Sequence, residues 1–366
     1  MFQETMAVKA LKIPPDRIKK ILVRGPNWVG DAVMCVPALD TVRRAFPDSE
    51  IALLVRSTVG ELFVGHPGVD RVVVYEHRGM HAGWRGKFRL AASLRREQYD
   101  LVLLFQNAFE AALLSVLAGI RLRYGYATDG RRLLLTHPVA PPDGTRTVHQ
   151  VHYYMDMLKP LVQEASTSKP VLHVSPEEQV RAACLLQEGG IQTSEVVIGL
   201  NPGSVYGGAK RWLPERFAVV ADRLIDELRQ QDTHSVRCLI LGGPGEEELG
   251  EAIAQRMDAN PLVLSGRTSL GELKAVIKRC HLFVTNDTGP MYVAKALGVP
   301  VVAIFGPTDP VATVPYNALH TIVRNPINCS PCFLRECPID HRCMTSISTE
   351  QVFQAAKGIL AKRMVS

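Results

Sequence analysis

Short runs of aliphatic and β-branched residues alternate along the chain with longer stretches whose apolar positions recur at helical spacing. This alternation is typical of parallel α/β units. In the first half the predicted strands are KKILVRG, EIALLVR, RVVVYE and DLVLLFQ, and in the second half EVVIGLNPG, VRCLILGG, PLVLSG, HLFVTND and VPVVAIFG. Each half therefore has enough strands for a sheet of its own.

A clear helix start lies between the two halves. In SPEEQVRAACLLQEGG, Ser175 is the predicted N-cap and Pro176 the first helical residue. The polar segment VQEASTSKPVLHVSP before it suits a linker, which puts the boundary between about 165 and 195. We predict Rossmann-like domains over 18–175 and 190–345, and a final helix over 348–364 that can pack back on the first domain.

The bulk composition narrows the class of protein. The 366 residues, 46% hydrophobic and 21% charged, suffice for two packed cores. The N-terminus has no apolar run of signal-peptide length, and the longest apolar stretch, AALLSVLAGI, is about half of a bilayer-spanning helix. Eight cysteines without a secretory signal indicate a reducing compartment. We expect a cytoplasmic protein without a transmembrane helix.

Positive charge is concentrated in one segment. Between Arg78 and Arg132 there are ten Lys or Arg residues against four Asp or Glu, which equals the net charge of +6 of the whole chain. The segment is either a solvated face or a surface for an anionic partner, such as a phosphorylated lipid or a membrane. No nucleic-acid-binding motif accompanies it, so we expect no nucleic acid partner.

Two loops of the second half have the chemistry of anion sites. NPGSVYGGAKRW follows a strand and combines glycines, which permit close backbone approach, with Lys210 and Arg211. DTGPMYVAKALGVP follows another strand, and Asp287 or Thr288 can cap a helix whose first amides favour an anion. A plain glycine-rich loop and a plain helix cap remain the alternatives.

A third loop of the second half, LGGPGEEELG, offers Glu246 and Glu247 after a strand. An acidic side chain at such a position commonly accepts hydrogen bonds from ribose hydroxyls. Consecutive glutamates at a helix start are also favourable to the helix dipole without any ligand.

In the first half, GPNWVGD has the glycine spacing of a phosphate-binding P-loop but continues with Asp31 where that motif has Lys. Asp31 either caps its own helix or acts as a general base on an acceptor hydroxyl. A helix N-terminus lowers the pKa of a carboxyl, which weakens it as a base. Further along, Pro37 predicts a kink or a later helix start.

The sequence CSPCFLRECPIDHRC, which we call the Cys-rich segment (329–343), contains four cysteines: Cys329, Cys332, Cys337 and Cys343. Its first pair has the spacing of a metal knuckle, but the later gaps are short for a standard zinc module. We expect no metal site, and interpret the cysteines as reduced structural thiols or a redox-sensitive cluster. A bound metal is the alternative.

Taken in order, GPNWVGDAVMCVPAL, the segment from GWRGKF to RLRYGY, NPGSVYGGAKRWLPERFA and TNDTGPMYVAKALGVPVVAIFGPTDP resemble glycosyltransferase family 9, the lipopolysaccharide heptosyltransferases, and most nearly its heptosyltransferase II members. The resemblance covers roughly residues 20–360. It implies a GT-B architecture, in which two Rossmann-like parallel-sheet domains face each other across a cleft.

The resemblance also implies an activity: inverting transfer of heptose from ADP-heptose to the phosphorylated lipid A inner core, where it adds the second heptose. The enzyme would act at the cytoplasmic face of the inner membrane, as a peripheral protein and without a cofactor or catalytic metal. A sugar-nucleotide epimerase of similar architecture and a non-catalytic sugar-nucleotide or lipid-binding module are the alternatives.

Site residues follow from the same resemblance. Asp31 is the implied catalytic base, and Glu246 the implied ribose contact. The implied diphosphate-binding residues are Lys210, Asp287, Thr288 and Gly289. Further donor-binding candidates are Ser204, Met291 and Tyr292, the last standing where the family usually has histidine. The acceptor-binding candidates are Asn27, Trp28, Gly30, Arg78, Arg85, Lys87 and Arg89.

Overall fold

The structure is a computed structural model and describes residues 15–142, 148–162, 169–230, 235–312 and 319–364. The chain divides between Pro170 and Val171 into two compact units. The N-terminal residues tested above for a signal peptide, up to residue 14, and residues 163–168 of the predicted linker lie outside the described part.

In the described part of the first unit, six strands form one parallel sheet. They are β1 (Lys20–Arg24), β2 (Glu50–Arg56), β3 (Arg71–Tyr75), β4 (Leu101–Leu104), β5 (Leu122–Tyr126) and β6 (His137–Val139). Their order is β3-β2-β1-β4-β5-β6, and all neighbouring strands are parallel. This is the strand order of a Rossmann fold.

The helices of the first unit lie between these strands, except for the last helix, which follows β6. They are α1 (Val29–Met34), α2 (Val36–Ala45), α3 (Ser57–Gly60), α4 (Gly83–Glu97), α5 (Phe109–Leu117) and α6 (Gln150–Leu158). On one side of the sheet Leu22, Val102 and Leu104 pack with Leu90 and Leu94 of α4 in a common core.

The break predicted at Pro37 is confirmed. The first helix ends at Met34, Cys35 interrupts it, and the second helix begins at Val36 with Pro37 in its first turn. Proline lacks the amide that a continuous helix would need there, whereas the first turn of a new helix does not need it. The short α1 therefore sets the position of Asp31 independently of α2.

In the described part of the second unit, six parallel strands repeat the same arrangement. They are β7 (Val196–Asn201), β8 (Val236–Ile240), β9 (Leu262–Val263), β10 (Leu282–Asn286), β11 (Val301–Ile304) and β12 (His320–Val323). Their order is β12-β11-β10-β7-β8-β9, which is the Rossmann order once more.

The helices of the second unit are α7 (Pro176–Glu188), α8 (Pro214–Gln230), α9 (Glu247–Ala254), α10 (Leu270–Arg279), α11 (Gly289–Ala296), α12 (Arg342–Thr345) and α13 (Thr349–Met364). The predicted start of α7 is confirmed: Ser175 and Glu178 form a capping box and Pro176 is the first residue. The fully buried pair Lys274–Glu178, with 2.9 Å between Nζ and Oε2, ties α10 to α7.

The last helix lies on the second unit. Val352, Phe353 and Ala356 of α13 are buried in the core that also contains Leu224 of α8 and Ile304 of β11. The final helix, for which packing back on the first domain was a possibility, therefore belongs to the second unit and contributes to its core. The absence of a following strand left the choice of sheet open; in the structure α13 packs against α8, β11 and β12.

Three strands escaped prediction. β5 contains Arg123 and Gly125, β6 is a three-residue edge strand with Pro138, and β12 is an edge strand of four residues. Each is too short or too polar to have the alternating pattern of a strand. Among the described helices, none is both long and apolar enough to cross a membrane.

Candidate functional site

The candidate residues cluster where the strand order reverses in each sheet. β1 lies between β2 and β4, and β7 lies between β8 and β10. Ligands of open α/β sheets bind beyond the carboxyl ends of the strands at this reversal. Asp31 follows β1, Lys210 follows β7 and Asp287 follows β10. Both units therefore place charged side chains where their folds bind ligands.

Asp31 lies in the first turn of α1, with Trp28 at the N-cap position. The alternative in which Asp31 caps its own helix is wrong, because the residue stands within the helix. Burial raises the pKa of the Asp31 carboxyl to about 6, and the charge lies close enough to raise the pKa values of Cys35 and Tyr154. The pKa is thus shifted upward by burial, whereas the helix N-terminus was expected to lower it.

Two neighbours of Asp31 have different surroundings. Asn27 accepts a 2.9 Å hydrogen bond from the buried guanidinium of Arg24, which also donates to the carbonyl of Gly25 at 2.7 Å. Trp28 is 57% exposed, and Gly30 lies inside α1. The loop is thus anchored through Asn27 and presents the Trp28 ring to solvent.

The basic acceptor candidates are not equivalent. Arg78, Arg85 and Arg89 are exposed, the last two on α4. Lys87 instead forms a 2.6 Å ion pair with Glu110 and lies over the Trp84 ring, 5.2 Å from its centroid. Lys87 therefore already has an anionic partner, which the sequence did not indicate.

A buried carboxylate organises the second unit's site. Oδ2 of Asp287 accepts hydrogen bonds from Nζ of Lys210 at 2.5 Å and from Oγ1 of Thr308 at 2.6 Å. Oδ1 accepts from the Tyr292 hydroxyl at 3.1 Å. We call these four residues the Asp287 cluster. A carboxylate would repel a phosphate, so Asp287 is suited to holding three donors rather than binding the anion itself.

The turn after Asp287 opens α11. Thr288 occupies the N-cap position without a side-chain cap bond, and Gly289 and Pro290 form the first turn. The start of this eight-residue helix provides backbone amides for an anion. Met291 is fully buried in the interior, so its side chain serves packing and is removed from the donor-binding candidates.

Ser204 and Glu246 lie in the loops that follow the adjacent strands β7 and β8. Oε2 of Glu246 accepts from the Gly243 amide at 2.9 Å, while Oε1 lies 3.6 Å from Arg211. Within the described residues, Oε1 of Glu246 and Oγ of Ser204 are buried without a hydrogen-bond partner. A Cβ on Gly203 would lie 2.0 Å from the Glu246 carboxylate, so this glycine makes room for it.

Buried polar atoms without hydrogen-bond partners are uncommon, and they gain most from a ligand that hydrogen bonds to them. Ser204 can donate and Glu246 can accept, which matches the needs of vicinal hydroxyls on a sugar ring. This pair supports the ribose assignment of Glu246 more strongly than the sequence did.

Thr308 was missed by sequence reasoning. It follows β11 in FGPTDP, and its position after a strand next to β10 was the available signal.

The Cys-rich segment has Cys343 buried and Cys329 and Cys332 exposed. Burial and the neighbouring thiols raise the pKa of Cys343 to about 11. Across the described ranges, no three His, Cys, Asp or Glu side chains are grouped to hold a metal ion.

Comparison with solved structures defines the class of fold. The structure of Escherichia coli ADP-heptose LPS heptosyltransferase II aligns with a TM-score of 0.78 and 26% identity, covering 94% of this chain and 99% of that one. The chain thus has the GT-B class of fold, with two Rossmann-like sheets, as the sequence predicted.

Comparison of sequences gives the family. Residues 87–342 match the profile of Glycosyltransferase family 9 (heptosyltransferase). Lipooligosaccharide heptosyltransferase 2 of Campylobacter jejuni is 29% identical over 93% of this chain and 98% of its own length. Lipopolysaccharide heptosyltransferase 2 of E. coli is 30% identical over 83% of this chain and 88% of its own length. The chain belongs to glycosyltransferase family 9. The resemblance is confirmed, and the protein is a glycosyltransferase rather than an epimerase or a non-catalytic module.

Proposed function

We propose that this enzyme transfers heptose from ADP-heptose to the phosphorylated inner core of lipopolysaccharide, adding the second heptose with inversion. The observation that carries the donor assignment is the Asp287 cluster, in which Asp287 accepts hydrogen bonds from Lys210, Thr308 and Tyr292 just after β10. The names of the two relatives reported above, both heptosyltransferases 2, support the choice of sugar and acceptor.

On the donor side, Lys210 and the amides at Thr288 and Gly289 meet the diphosphate. Negative charge grows on the ADP oxygen as the bond to the sugar breaks, and cations and N–H donors in that position lower the barrier. Ser204 and Glu246 meet the ribose hydroxyls. Tyr292 stands in place of the usual histidine, and its hydroxyl holds Asp287 in position.

On the acceptor side, Asp31 takes the proton of the attacking hydroxyl. The hydroxyl oxygen forms a bond to the anomeric carbon while the bond from that carbon to the diphosphate breaks, so ADP leaves with the electron pair. A carboxyl with a pKa of about 6 is ionised at neutral pH and is a stronger base than an ordinary aspartate. Asn27, Trp28, Gly30, Arg78, Arg85 and Arg89 meet the anionic acceptor, whereas Lys87 would have to leave its ion pair with Glu110 to do so.

The acceptor is a lipid, and α4 has a face suited to a membrane surface. Trp84 is 63% and Phe88 54% exposed, one turn apart, with Arg85 and Arg89 next to them. Residues 77–96 contain six Lys or Arg and no acid. Aromatic side chains that insert at the headgroup level, flanked by arginines, are typical of peripheral binding to anionic bilayers. This face of α4 supports the proposal that the enzyme works at the inner face of the inner membrane.

Replacing both Trp84 and Phe88 with Ala should weaken binding to phosphatidylglycerol-containing vesicles by about tenfold or more, because two aromatic side chains no longer insert. Co-sedimentation measures this. The matched control is Val180→Ala, which removes a side chain of α7 that is 62% exposed. Binding of the double variant at the wild-type level would contradict the membrane role of α4.

The activity itself is tested by incubating the enzyme with ADP-heptose and defined core acceptors that carry no heptose or one heptose. Mass spectrometry should show one added heptose on the acceptor that already has one, and NMR of the product should show inverted anomeric configuration. Transfer only to the heptose-free acceptor, or isomerisation of the donor without an acceptor, would refute the proposal.

A further inference from the structure

The Cys-rich segment has no part in the proposed chemistry, yet it contacts the loop that holds Lys210. The carbonyl of Arg335 accepts a 2.9 Å hydrogen bond from the amide of Ala209. The Nε2–H of His341 donates to the carbonyl of Ala209 at 2.8 Å. Oε1 of Glu336 accepts from the amide of Gly208 at 3.0 Å. Both residues before Lys210 are therefore held through their backbones.

The same segment also contacts the loop that holds Thr308. The amides of Cys332 and Phe333 donate to the carbonyl of Pro307 at 3.0 and 2.8 Å. Oγ of Ser330 donates to the carbonyl of Gly306 at 2.6 Å. Lys210 and Thr308 are the two donors to Oδ2 of Asp287, so one segment fixes both loops that converge on that oxygen.

The Tyr206 side chain joins the two sets of contacts. Its hydroxyl donates to the carbonyl of Phe333 at 2.5 Å. The Lys210 ammonium lies 4.6 Å from the ring centroid and the Arg335 guanidinium 5.6 Å. A ring held at its hydroxyl gives the flexible lysine side chain a fixed surface, which reduces the entropy lost when the ammonium binds an anion.

Gly207 is adapted to this contact. A Cβ at this position would lie 2.3 Å from the carbonyl oxygen of Arg335, closer than real Cβ contacts allow. Its φ of 154° is also one that other residues rarely adopt. The glycine thus permits the backbone approach that brings the segment onto the loop.

We propose that the Cys-rich segment positions the donor site, with His341 as a positioning residue that fixes the Ala209 carbonyl and thereby Lys210. Its effect on catalysis rests on the proposed function, whereas its effect on the loop does not. His341 does not touch the substrate; its hydrogen bond holds the backbone next to the residue that does.

The test compares His341→Ala, His341→Gln and Gly207→Ala with Ile339→Ala, an exposed position in the same segment. In His341→Ala and in Gly207→Ala, hydrogen exchange at the amides of residues 206–211 should become faster when no ligand is bound. The KM for ADP-heptose and the Kd for ADP should rise about three- to tenfold, the range for one lost hydrogen bond, while the KM for the acceptor stays unchanged. His341→Gln keeps an N–H donor and should restore much of the affinity.

Wild-type exchange rates and ADP affinity in folded His341→Ala would overturn the positioning role. If the wild type binds ADP but transfers no heptose, the proposed function fails, and the ADP affinities still decide the role of the segment. If His341→Ala does not fold, Gly207→Ala decides it: unchanged loop exchange in that variant would overturn the proposal.

Discussion

Replacing Asp31 with Asn should lower kcat for heptose transfer by about 10²- to 10⁴-fold while the Kd for ADP-heptose stays within about twofold of wild type. The amide has nearly the same shape but cannot accept the proton of the acceptor hydroxyl. The donor-binding candidates lie in the other unit and are unaffected. Single-turnover kinetics and calorimetry measure the two quantities, with Asp48→Asn, at an exposed position after α2, as the control.

The pH dependence gives a second signature. Burial raises the pKa of Asp31 to about 6, so the active carboxylate is lost as the pH falls through 6. We expect kcat/KM of the wild type to rise with pH up to about 6 and then level off, and this limb to be missing from the residual activity of Asp31→Asn. If Asp31 only orients the hydroxyl, the variant should retain activity within about tenfold.

Stability separates a catalytic role from a structural one. The folded-state pKa of Asp31 lies above its unfolded value, so the unfolded state ionises first as pH rises. Stability is therefore lost between about pH 4 and pH 6, and the full destabilisation is present above about pH 6. Asp31→Asn should therefore match the stability of the wild type most closely near pH 4 and exceed it at pH 8. A variant that is less stable at both values would indicate that Asp31 has a structural role in α1.

The sequence predicted best those features that depend on residues close together along the chain. Pro37 marks a helix break because of its missing amide, and Ser175 and Glu178 start α7 through their own side-chain bonds. Strands rich in Val, Ile and Leu were equally clear. The short edge strands β6 and β12 were not, because pairing with a neighbouring strand, rather than their own residues, makes them strands.

The candidate site was only partly predictable for a similar reason. Charges after strands revealed Asp31, Lys210 and Asp287. Whether Asp31 has a raised or lowered pKa depends on how much protein surrounds it, and that depends on the tertiary fold. Thr308 and His341 are more than 20 residues from Asp287 and Lys210 along the chain respectively, so no local pattern connects them.

Lys210→Met should lower kcat/KM for ADP-heptose by about 10²- to 10³-fold, the usual effect of removing one donor to developing negative charge. It should also destabilise the fold, because the side chains of Lys210 and Asp287 are only 12% and 6% exposed and the carboxylate loses its cation. Loss of one partner of a buried ion pair typically costs about 3–5 kcal/mol. Steady-state kinetics and thermal unfolding measure the two effects.

The double variant Lys210→Met/Asp287→Asn separates catalysis from stability. With both charges gone, no buried carboxylate lacks a cation, and the oxygen of the introduced amide still accepts from Thr308 or Tyr292, so much of the lost stability should return. Activity should not return, because the cation for the diphosphate is still missing. Recovery of transfer together with stability would mean that Lys210 serves only to neutralise Asp287, and the diphosphate would then be bound by the helix start at Thr288 and Gly289 alone.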